Sequence, residues 1–241
     1  MERSPQVVPL EWTGDGIDVV HRATRGFRDR SPIIERRHIS FEDRDAGLQV
    51  GVSAIPTAST EMKSEWKDEL LTVQQGRATI QLADGGTISL EVGDTAFISA
   101  GTVHRWIYHE PFVKDFLCLF DGESGPPTAL KVDPSLELAP SPPPGRDVLL
   151  TEIPECKNKL LYHRLDGRLT LMLWSTTPYI RRPAKHVKHE LMRFVSGSAT
   201  LKDACDAAIY QGTPRSIFVP KGAEVAWEND EAVLKIACFV S

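Results

Sequence analysis

Hydrophobic and polar residues alternate along most of this chain in short runs, which is typical of β-strands. The first half contains LQVGVSAI, LLTVQQG, ATIQLADGG, TISLEVGD, TAFISAG, HRWIYHE and VKDFLCLF, and the second half contains LTLMLWST, LMRFVSG, ATLKD, SIFVPKG and LKIACFV. Gly-rich turn signals separate the runs at intervals of about 8 to 12 residues, and ADGG is the clearest hairpin. Few stretches have helical periodicity. The pattern predicts an all-β protein built from antiparallel strands, with a jelly-roll barrel in each half.

The second half repeats the first without a gap, at an offset of 121 residues. The matched pairs are Glu69/Glu190, Gly76/Gly197, Phe97/Phe218, Gly101/Gly222, Trp106/Trp227, Glu110/Glu231 and Lys114/Lys235. A period of domain size indicates a duplicated domain rather than a solenoid. Positions that differ between the copies therefore show where one copy keeps polar chemistry that the other has lost.

The repeat divides the chain into four parts. Residues 1–30 form a lead-in, residues 31–120 the N-terminal barrel, residues 121–147 a Pro-rich extended linker, and residues 148–241 the C-terminal barrel. Prolines at the density of the linker resist both helix and central strand. We expect the two barrels to pack as a pseudo-dimer, and their sheet edges also allow a homodimer.

Composition and charge indicate an ordinary globular protein of 241 residues with a formal net charge of -5 and no basic stripe. Nucleic acid is therefore not an expected partner. No apolar run approaches the roughly 20 residues of a membrane helix, and the first residues lack the order of a signal peptide, so we expect a cytoplasmic protein without a membrane partner. The four cysteines lack CxxC spacing and are expected to be structural, with Cys205 in a polar turn the most exposed; the others are Cys118, Cys156 and Cys238.

Two short sequence motifs occur in each half. In the first copy they comprise Glu69 and Gly76, then Gly93, Gly101 and His104, with Ser99 at a position where Pro is usual. In the second copy they comprise Glu190, Gly197, Pro220 and Gly222, with Pro214 at the place of the first Gly of the second motif. These motifs resemble those of the cupin superfamily. The resemblance covers both copies and implies a bicupin with two tandem cupin barrels.

A narrower resemblance comes from the strings AGTVHRWIYHEPFVKDF and PKGAEVAWENDEAVLKI. They are similar to the cupin branch that contains ethanolamine-utilisation proteins and ureidoglycine aminohydrolases. The latter carry a Glu, His, His, Gln ligand set in the second cupin, and the matching positions here are Ala184, His186, Glu190 and Val225. Only His186 matches, so we do not expect that activity.

The motif spacing suggests a metal site in the N-terminal barrel. Residues at i, i+2 and i+6 of a strand share one face, and here these are Lys63, Glu65 and Glu69, with His104 supplied by the second motif. Glu65, Glu69 and His104 could hold Mn, Fe, Zn or Ni. Lys63 argues against a metal because a charged ammonium has no lone pair. One alternative is a metal-free ion cluster in which Lys63 neutralises the carboxylates. Another is a polar pocket in which Glu69 serves as general base, Lys63 binds an anionic group and His104 moves a proton.

The C-terminal barrel has a degenerate set of polar residues. His186 and Glu190 remain, and we expect them to pair with each other or with water. His189 has the opposite parity to His186 and should therefore diverge from it. Arg181 and Arg182 could bind an anion at the barrel mouth, although adjacent surface arginines are usually solvated.

We therefore predict an enzyme that hydrolyses, isomerises or eliminates a group from a small polar or anionic metabolite, with its site in the N-terminal barrel. Its catalytic residues would be Glu69, His104 and Lys63, and its substrate contacts would be Lys63, Glu65 and Trp106. Trp106 equally fits a packing role, because its counterpart recurs in the other copy. A non-catalytic binding or sensing module is the first alternative, and a metal-dependent oxygenase is a lesser one. Trp66 should face outward.

Overall fold

The computed structural model describes residues 6–10, 18–21, 34–60, 62–120, 125–203 and 216–241. In these ranges the regular secondary structure consists of antiparallel strands, which confirms the predicted all-β class. A helix with the length and apolar character needed to cross a membrane is not found among the described residues.

The strands of the first half follow the hydrophobic runs closely. They are β1 (Val8–Leu10), β2 (Asp18–His21), β3 (Ile34–Asp43), β4 (Leu48–Ile55), β5 (Ala58–Ser59), β6 (Lys63–Ser64), β7 (Lys67–Gln75), β8 (Ala78–Leu82), β9 (Thr87–Leu90), β10 (Thr95–Ile98), β11 (Val103–Tyr108) and β12 (Phe112–Phe120). Those of the second half are β13 (Ala129–Lys131), β14 (Ala139–Ser141), β15 (Cys156–His163), β16 (Leu169–Thr176), β17 (Tyr179–Lys185), β18 (His189–Ser196), β19 (Thr200–Asp203), β20 (Ser216–Val219), β21 (Glu224–Asn229) and β22 (Val233–Val240).

The N-terminal unit spans Leu10–Val132 and contains two sheets. The larger sheet has the order β13-β10-β7-β12-β4-β3-β2, and the smaller has the order β5-β11-β8-β9, with β6 also pairing with β11. Strands β7 and β12 lie at the centre of the larger sheet and are buried along nearly their whole length. Apolar side chains from both sheets, including Leu71, Ile80 and Trp106, form one core cluster.

The C-terminal unit consists of Asp133–Ser241 and the segment that ends at Pro9. Its larger sheet has the order β1-β20-β18-β22-β16-β15-β14, and its smaller sheet has the order β17-β21-β19. Shifting β10, β7, β12, β4, β3 and β2 by the repeat offset gives β20, β18, β22, β16, β15 and β14 in the same order, and β1 takes the place of β13. The duplication seen in the sequence is therefore also a duplication of topology in the larger sheets. Two antiparallel sheets of this kind in each unit confirm the jelly-roll prediction.

The leading strand of each copy pairs in the sheet of the other copy. Strand β1 lies beside β20 in the C-terminal unit, and β13, its counterpart at the repeat offset, lies beside β10 in the N-terminal unit. Two short strands, β13 and β14, lie within the predicted linker. Strand β14 contains Pro140 and forms the edge of its sheet, a position at which a missing N–H is tolerated.

The motif glycine at the end of β7 is required by a close approach of the backbone. Gly76 has a φ of 82°, and a Cβ at this position would lie 2.3 Å from the carbonyl oxygen of Pro111. Gly197 repeats the arrangement, with a φ of 70° and a distance of 2.2 Å to the carbonyl oxygen of Ala232. A side chain is therefore excluded at both positions by sterics as well as by conformation.

Three of the four cysteines are free and buried, as predicted for structural thiols. These are Cys118, Cys156 and Cys238. Cys205 lies outside the described residues, so its expected exposure stays a prediction.

Candidate functional site

Three of the polar residues predicted in the N-terminal barrel lie on strands, Lys63 on β6, Glu69 on β7 and His104 on β11, and Glu65 lies between β6 and β7. Glu69 sits in the central strand β7, flanked by Ile98 of β10 and Cys118 of β12, and it is buried. His104 pairs across the sheet with Lys63, which is partly exposed. Glu69 therefore belongs to the larger sheet and His104 to the smaller one, and the contacts of these side chains decide what they can do.

Glu69 is enclosed by two lysines. Its Oε2 atom lies 2.5 Å from Lys67 Nζ, and its Oε1 atom lies 2.6 Å from Lys114 Nζ. Lys67 Nζ also lies 3.5 Å from Glu65 Oε2, and Lys63 Nζ lies 3.6 Å from Glu65 Oε1. We call Lys63, Glu65, Lys67, Glu69 and Lys114 the N-terminal ion cluster. It corresponds to the metal-free alternative of the sequence analysis.

The electrostatics of this cluster oppose the role of general base. Burial raises the pKa of the Glu69 carboxyl, but the ammonium groups of Lys114 and Lys67 outweigh it and hold that pKa well below its usual range. A carboxylate stabilised in this way is a weak proton acceptor, because a base must have a pKa near the working pH. The arrangement favours a structural role for Glu69, in which buried charges neutralise one another.

The cluster also does not fit the divalent metal considered for Glu65, Glu69 and His104. Both carboxylate oxygens of Glu69 already accept hydrogen bonds from lysine ammonium groups, and a cation there would lie against like charge. Within the described residues, which include all three of these side chains, no group of three or more His, Cys, Asp and Glu side chains is arranged to hold a metal ion.

His104 and Trp106 are both buried in the N-terminal barrel. His104 Nδ1 lies 2.9 Å from the carbonyl oxygen of Thr102, two residues earlier in the chain. Trp106 stacks on Tyr108 at 5.4 Å between ring centroids and belongs to the apolar core. Lys114 Nζ lies 5.0 Å from the centroid of the Trp106 ring, so this indole supports the ion cluster by a cation–π contact.

The C-terminal unit carries a variant of the same cluster. Lys235 Nζ lies 2.7 Å from Glu190 Oε1, as Lys114 does from Glu69. The other oxygen, Glu190 Oε2, lies 3.6 Å from His186 Nδ1, which is slightly longer than a hydrogen bond. An imidazole therefore takes the place that the Lys67 ammonium has in the first copy.

A cavity of about 280 Å³ opens beside this pair in the C-terminal unit. Its wall combines four charged or titratable side chains with aromatic rings and a run of three prolines. The polar members are Arg181, His186, Glu190 and Lys235, the aromatic members are Trp174, Tyr179, Trp227 and Phe239, and the prolines are Pro142, Pro143 and Pro144. We call this space the C-terminal cavity. The sequence analysis expected a mainly structural barrel here.

Two buried nitrogen atoms on residues of this wall have no hydrogen-bond partner. They are the Nε2 atom of His186 and the Nε atom of Arg181. Arg181 donates one hydrogen bond, from Nη2 to the carbonyl oxygen of Val225 at 3.1 Å, so most of the donors of its guanidinium group remain available. Buried polar atoms without partners are costly, which makes them candidates for contact with a ligand.

The surroundings of His186 keep its imidazole neutral at pH 7. Burial lowers the pKa of His186, and the charge of Glu190 offsets only part of that effect. Burial raises the pKa of Glu190, but Lys235 and His186 outweigh it and hold that pKa below its usual range. The cavity wall thus presents a neutral imidazole beside an ionised carboxylate, a combination that suits proton transfer.

The two histidines of the HVKH run diverge, as predicted from strand parity. His186 belongs to the cavity wall, whereas His189 is buried and accepts a hydrogen bond at Nδ1 from the backbone N–H of Lys221. In the first copy Asp68 accepts the equivalent bond from the N–H of Ala100. His189 therefore has a structural role that the repeat preserves with a different side chain.

Sequence reasoning missed several of these residues. The recurrence of Lys114 and Lys235 in the repeat was the visible signal of a conserved ion pair. Lys67 and Lys188 are also matched by the offset, yet only Lys67 contacts the glutamate, so this difference could not be read from the sequence. The three prolines of the cavity wall appear in the sequence only as part of the Pro-rich linker.

Comparison with protein families supports this architecture. Residues 43–116 match the EutQ-like cupin domain family. None of the curated proteins with which the sequence was compared matches it. The family match lies entirely within the N-terminal unit.

Solved structures are similar to nearly the whole chain. A protein of unknown function from Pseudomonas syringae pv. tomato str. DC3000 has a TM-score of 0.84 at 22% identity, with 98% of this chain and 100% of that chain covered. A cupin 2 conserved barrel domain protein from Leptotrichia buccalis has a TM-score of 0.60 at 12% identity, with coverages of 93% and 98%. A variant of salicylate 1,2-dioxygenase from Pseudoaminobacter salicylatoxidans has a TM-score of 0.50 at 9% identity, with coverages of 81% and 72%.

At these identities the structural likeness concerns the fold and not the activity. The family match, the paired sheets and the motif glycines nevertheless agree with one another. Residues 43–116 carry a cupin domain of the EutQ-like family, and the chain as a whole has the cupin fold.

Proposed function

We propose that the protein is an enzyme that acts on a small polar or anionic metabolite in the C-terminal cavity by acid–base chemistry. The observation that carries this proposal is His186, a neutral imidazole on the cavity wall whose Nε2 atom is buried without a partner and whose Nδ1 atom faces Glu190. A carboxylate behind Nδ1 favours the tautomer with a proton on Nδ1 and a lone pair on Nε2. The imidazole can then accept a proton at Nε2.

The expected step is proton transfer from carbon. The Nε2 lone pair forms a bond to a proton next to a substrate carbonyl group, the C–H bond breaks, and its electron pair moves onto the carbonyl oxygen. Glu190 stabilises the imidazolium, and the positive charge of Lys235 stabilises the developing oxyanion. Return of the proton to another atom gives isomerisation, and loss of a neighbouring group gives elimination.

The N-terminal residues predicted as catalytic are less suited to this role. Glu69 accepts hydrogen bonds from two lysines, so both of its carboxylate oxygens are already paired within the ion cluster. We assign Lys63, Glu65 and Glu69 a stabilising function in their barrel. A metal-dependent oxygenase is not favoured at the C-terminal cavity either, because His186 and Glu190 supply only two ligating side chains and Glu190 is bound by Lys235.

Deuterium exchange tests the proposal without a known substrate. The protein is incubated in D₂O with a panel of small 2-oxo and 3-oxo acids, and loss of the C–H signal is followed by proton NMR. We expect wild-type protein to accelerate exchange of at least one acid and His186→Asn to abolish this acceleration. His163→Asn, at an exposed histidine of β15, is the control and should exchange at the wild-type rate.

Equal exchange by His186→Asn and wild-type protein would refute the assignment of the base. No acceleration by wild-type protein over buffer with any acid would instead favour the non-catalytic alternative, in which the same cavity only binds its ligand.

We also propose a cytoplasmic location. The free, buried thiols of Cys118, Cys156 and Cys238 support it, because unpaired cysteines are usual in a reducing compartment. Fractionation of cells that express the tagged full chain tests this, and recovery in a secreted or membrane fraction would overturn it.

A further inference from the structure

We propose that the C-terminal cavity selects a small monocarboxylate with an apolar body, and that Arg181 binds its carboxylate group. This inference rests on the proposed function, since it names the substrate class of the same site. It concerns a contact that the acid–base step does not itself require.

The charge of the cavity wall favours one negative charge. Lys235 and Glu190 form a close ion pair at 2.7 Å and neutralise each other. His186 is neutral, which leaves the guanidinium of Arg181. Among the described residues no carboxylate forms a salt bridge with this guanidinium, whose hydrogen bond goes to a backbone carbonyl oxygen.

The geometry of a guanidinium adds a preference for a planar oxyanion. Its Nε and Nη donors form a fork that matches the two oxygens of a carboxylate. In Arg181 the Nε donor is buried and unpartnered, while Nη2 is partly used by Val225. A carboxylate that engages the free donors would satisfy a buried group that otherwise lacks a hydrogen bond.

The rest of the wall suits an apolar body. Trp174 is half-buried, and the rings of Tyr179 and Trp227 stack with their centroids 6.0 Å apart. Pro142, Pro143 and Pro144 also line the cavity. They have no backbone N–H and therefore cannot donate a hydrogen bond to a second anionic group. Carbon-rich surfaces of this kind bind apolar groups by burial.

The size of the cavity limits the ligand. Its volume of about 280 Å³ equals that of roughly nine water molecules at about 30 Å³ each. This lies near the lower end of ligand pockets, at about 300 Å³. A compound the size of benzoate is therefore a suitable probe, and a second carboxylate on it would meet either Glu190 or the prolines.

Calorimetric titration of the full chain with benzoate tests the inference. We expect one binding site, and at least tenfold weaker binding of benzamide, the neutral isostere, and of terephthalate, the dicarboxylate. Arg181→Gln should weaken benzoate binding by about tenfold or more, which corresponds to loss of a charge-assisted bond. Arg181→Lys keeps the charge but loses the fork, and should also weaken binding.

Arg182→Gln is the matched control, because Arg182 is adjacent in the chain and exposed. Its benzoate affinity should stay within about twofold of wild type, and the melting temperatures of all variants are compared to establish that each is folded. Equal affinity for benzamide and benzoate, no benzoate binding at millimolar concentration, or equal effects of Arg181→Gln and Arg182→Gln would each overturn the inference.

The inference and the proposed function can fail separately. If wild-type protein accelerates deuterium exchange and His186→Asn does not, while wild-type protein does not bind benzoate, the substrate class is wrong and the base assignment stands. If benzoate binds through Arg181 but His186→Asn exchanges at the wild-type rate, the base assignment is wrong and the carboxylate site stands.

Discussion

The N-terminal ion cluster makes Glu69 the most consequential charged residue of its barrel for stability. Glu69→Gln keeps the shape of the side chain but removes the negative charge between Lys67 Nζ and Lys114 Nζ, which lie 2.5 and 2.6 Å from its oxygens. Both ammonium groups are almost completely buried, so neither can be rehydrated in place. Breaking one buried pair costs about 3–5 kcal/mol, and two pairs are broken here.

We therefore expect Glu69→Gln to lower the free energy of unfolding of the N-terminal unit by about 5 kcal/mol. At about 2–4 °C per kcal/mol this lowers the melting temperature by roughly 10–20 °C. Glu190→Gln is the matched control in the other copy. It releases one ammonium, Lys235, beside an open cavity, and should cost only about 1–3 kcal/mol.

The measurements are thermal unfolding and hydrogen–deuterium exchange of the peptides that contain β7 and β18. Exchange should increase in β7 for Glu69→Gln and in β18 for Glu190→Gln. The double variant Glu69→Gln/Lys67→Met also removes one of the two buried ammonium groups that Glu69→Gln deprives of the Glu69 carboxylate. It should recover part of the lost free energy of unfolding. A decrease of less than about 2 °C for Glu69→Gln, or a loss equal to that of Glu190→Gln, would refute the reasoning.

The pH dependence gives a second check on the same residue. The pKa of Glu69 is lower in the folded protein than its usual value, so its stabilising contribution is complete above the unfolded-state pKa of about 4.3. The contribution is lost as pH falls through the lower folded-state pKa. The difference in stability between wild type and Glu69→Gln should therefore be constant near neutral pH and decrease below about pH 4.

Two further predictions concern the cavity and the turns. Long-range proton–nitrogen NMR spectra should give His186 a pKa below its ordinary value of about 6.5. Glu190→Gln should lower this pKa further, and Arg181→Gln should raise it. A wild-type pKa at or above 6.5 would contradict the effect of burial. Gly85→Ala, with a φ of 91° and open space around its Cβ, should cost about 1–2 kcal/mol. Gly76→Ala adds a clash with the backbone and should lower the melting temperature more than Gly85→Ala does. Equal decreases for the two variants would show that the close backbone contact at Gly76 does not affect stability.

Much of the fold was predictable because it depends on patterns that repeat along the chain. Alternation identified the strands, and the offset between copies predicted two units of one topology. Gly76 and Gly197 could be recognised because a positive φ and a close backbone contact leave few alternatives to glycine. The exposed Trp66, with 90% of its surface accessible, also follows from strand parity.

The site was harder to predict because it depends on which side chain fills a given space. The sequence predicts the active pocket in the barrel with more polar residues, where Glu69 is paired with two lysines. In the other copy, Glu190 has a single ammonium partner and an imidazole, and a cavity lies beside them. The contact between Lys67 and Glu69, and the position of Pro142, Pro143 and Pro144 in the cavity wall, depend on tertiary packing. Residue spacing therefore could not predict either of them.

The reciprocal placement of β1 and β13 has a consequence for biosynthesis. Strand β1 precedes the N-terminal unit in the chain, while its partner β20 follows that unit, so a ribosome releases the two about 200 residues apart. The N-terminal unit can complete its sheet with β13 as soon as that strand emerges. The C-terminal unit must wait for the last part of the chain, and until then β1 remains without its partner β20. At three residues, β1 is short enough to pose little aggregation risk during that delay.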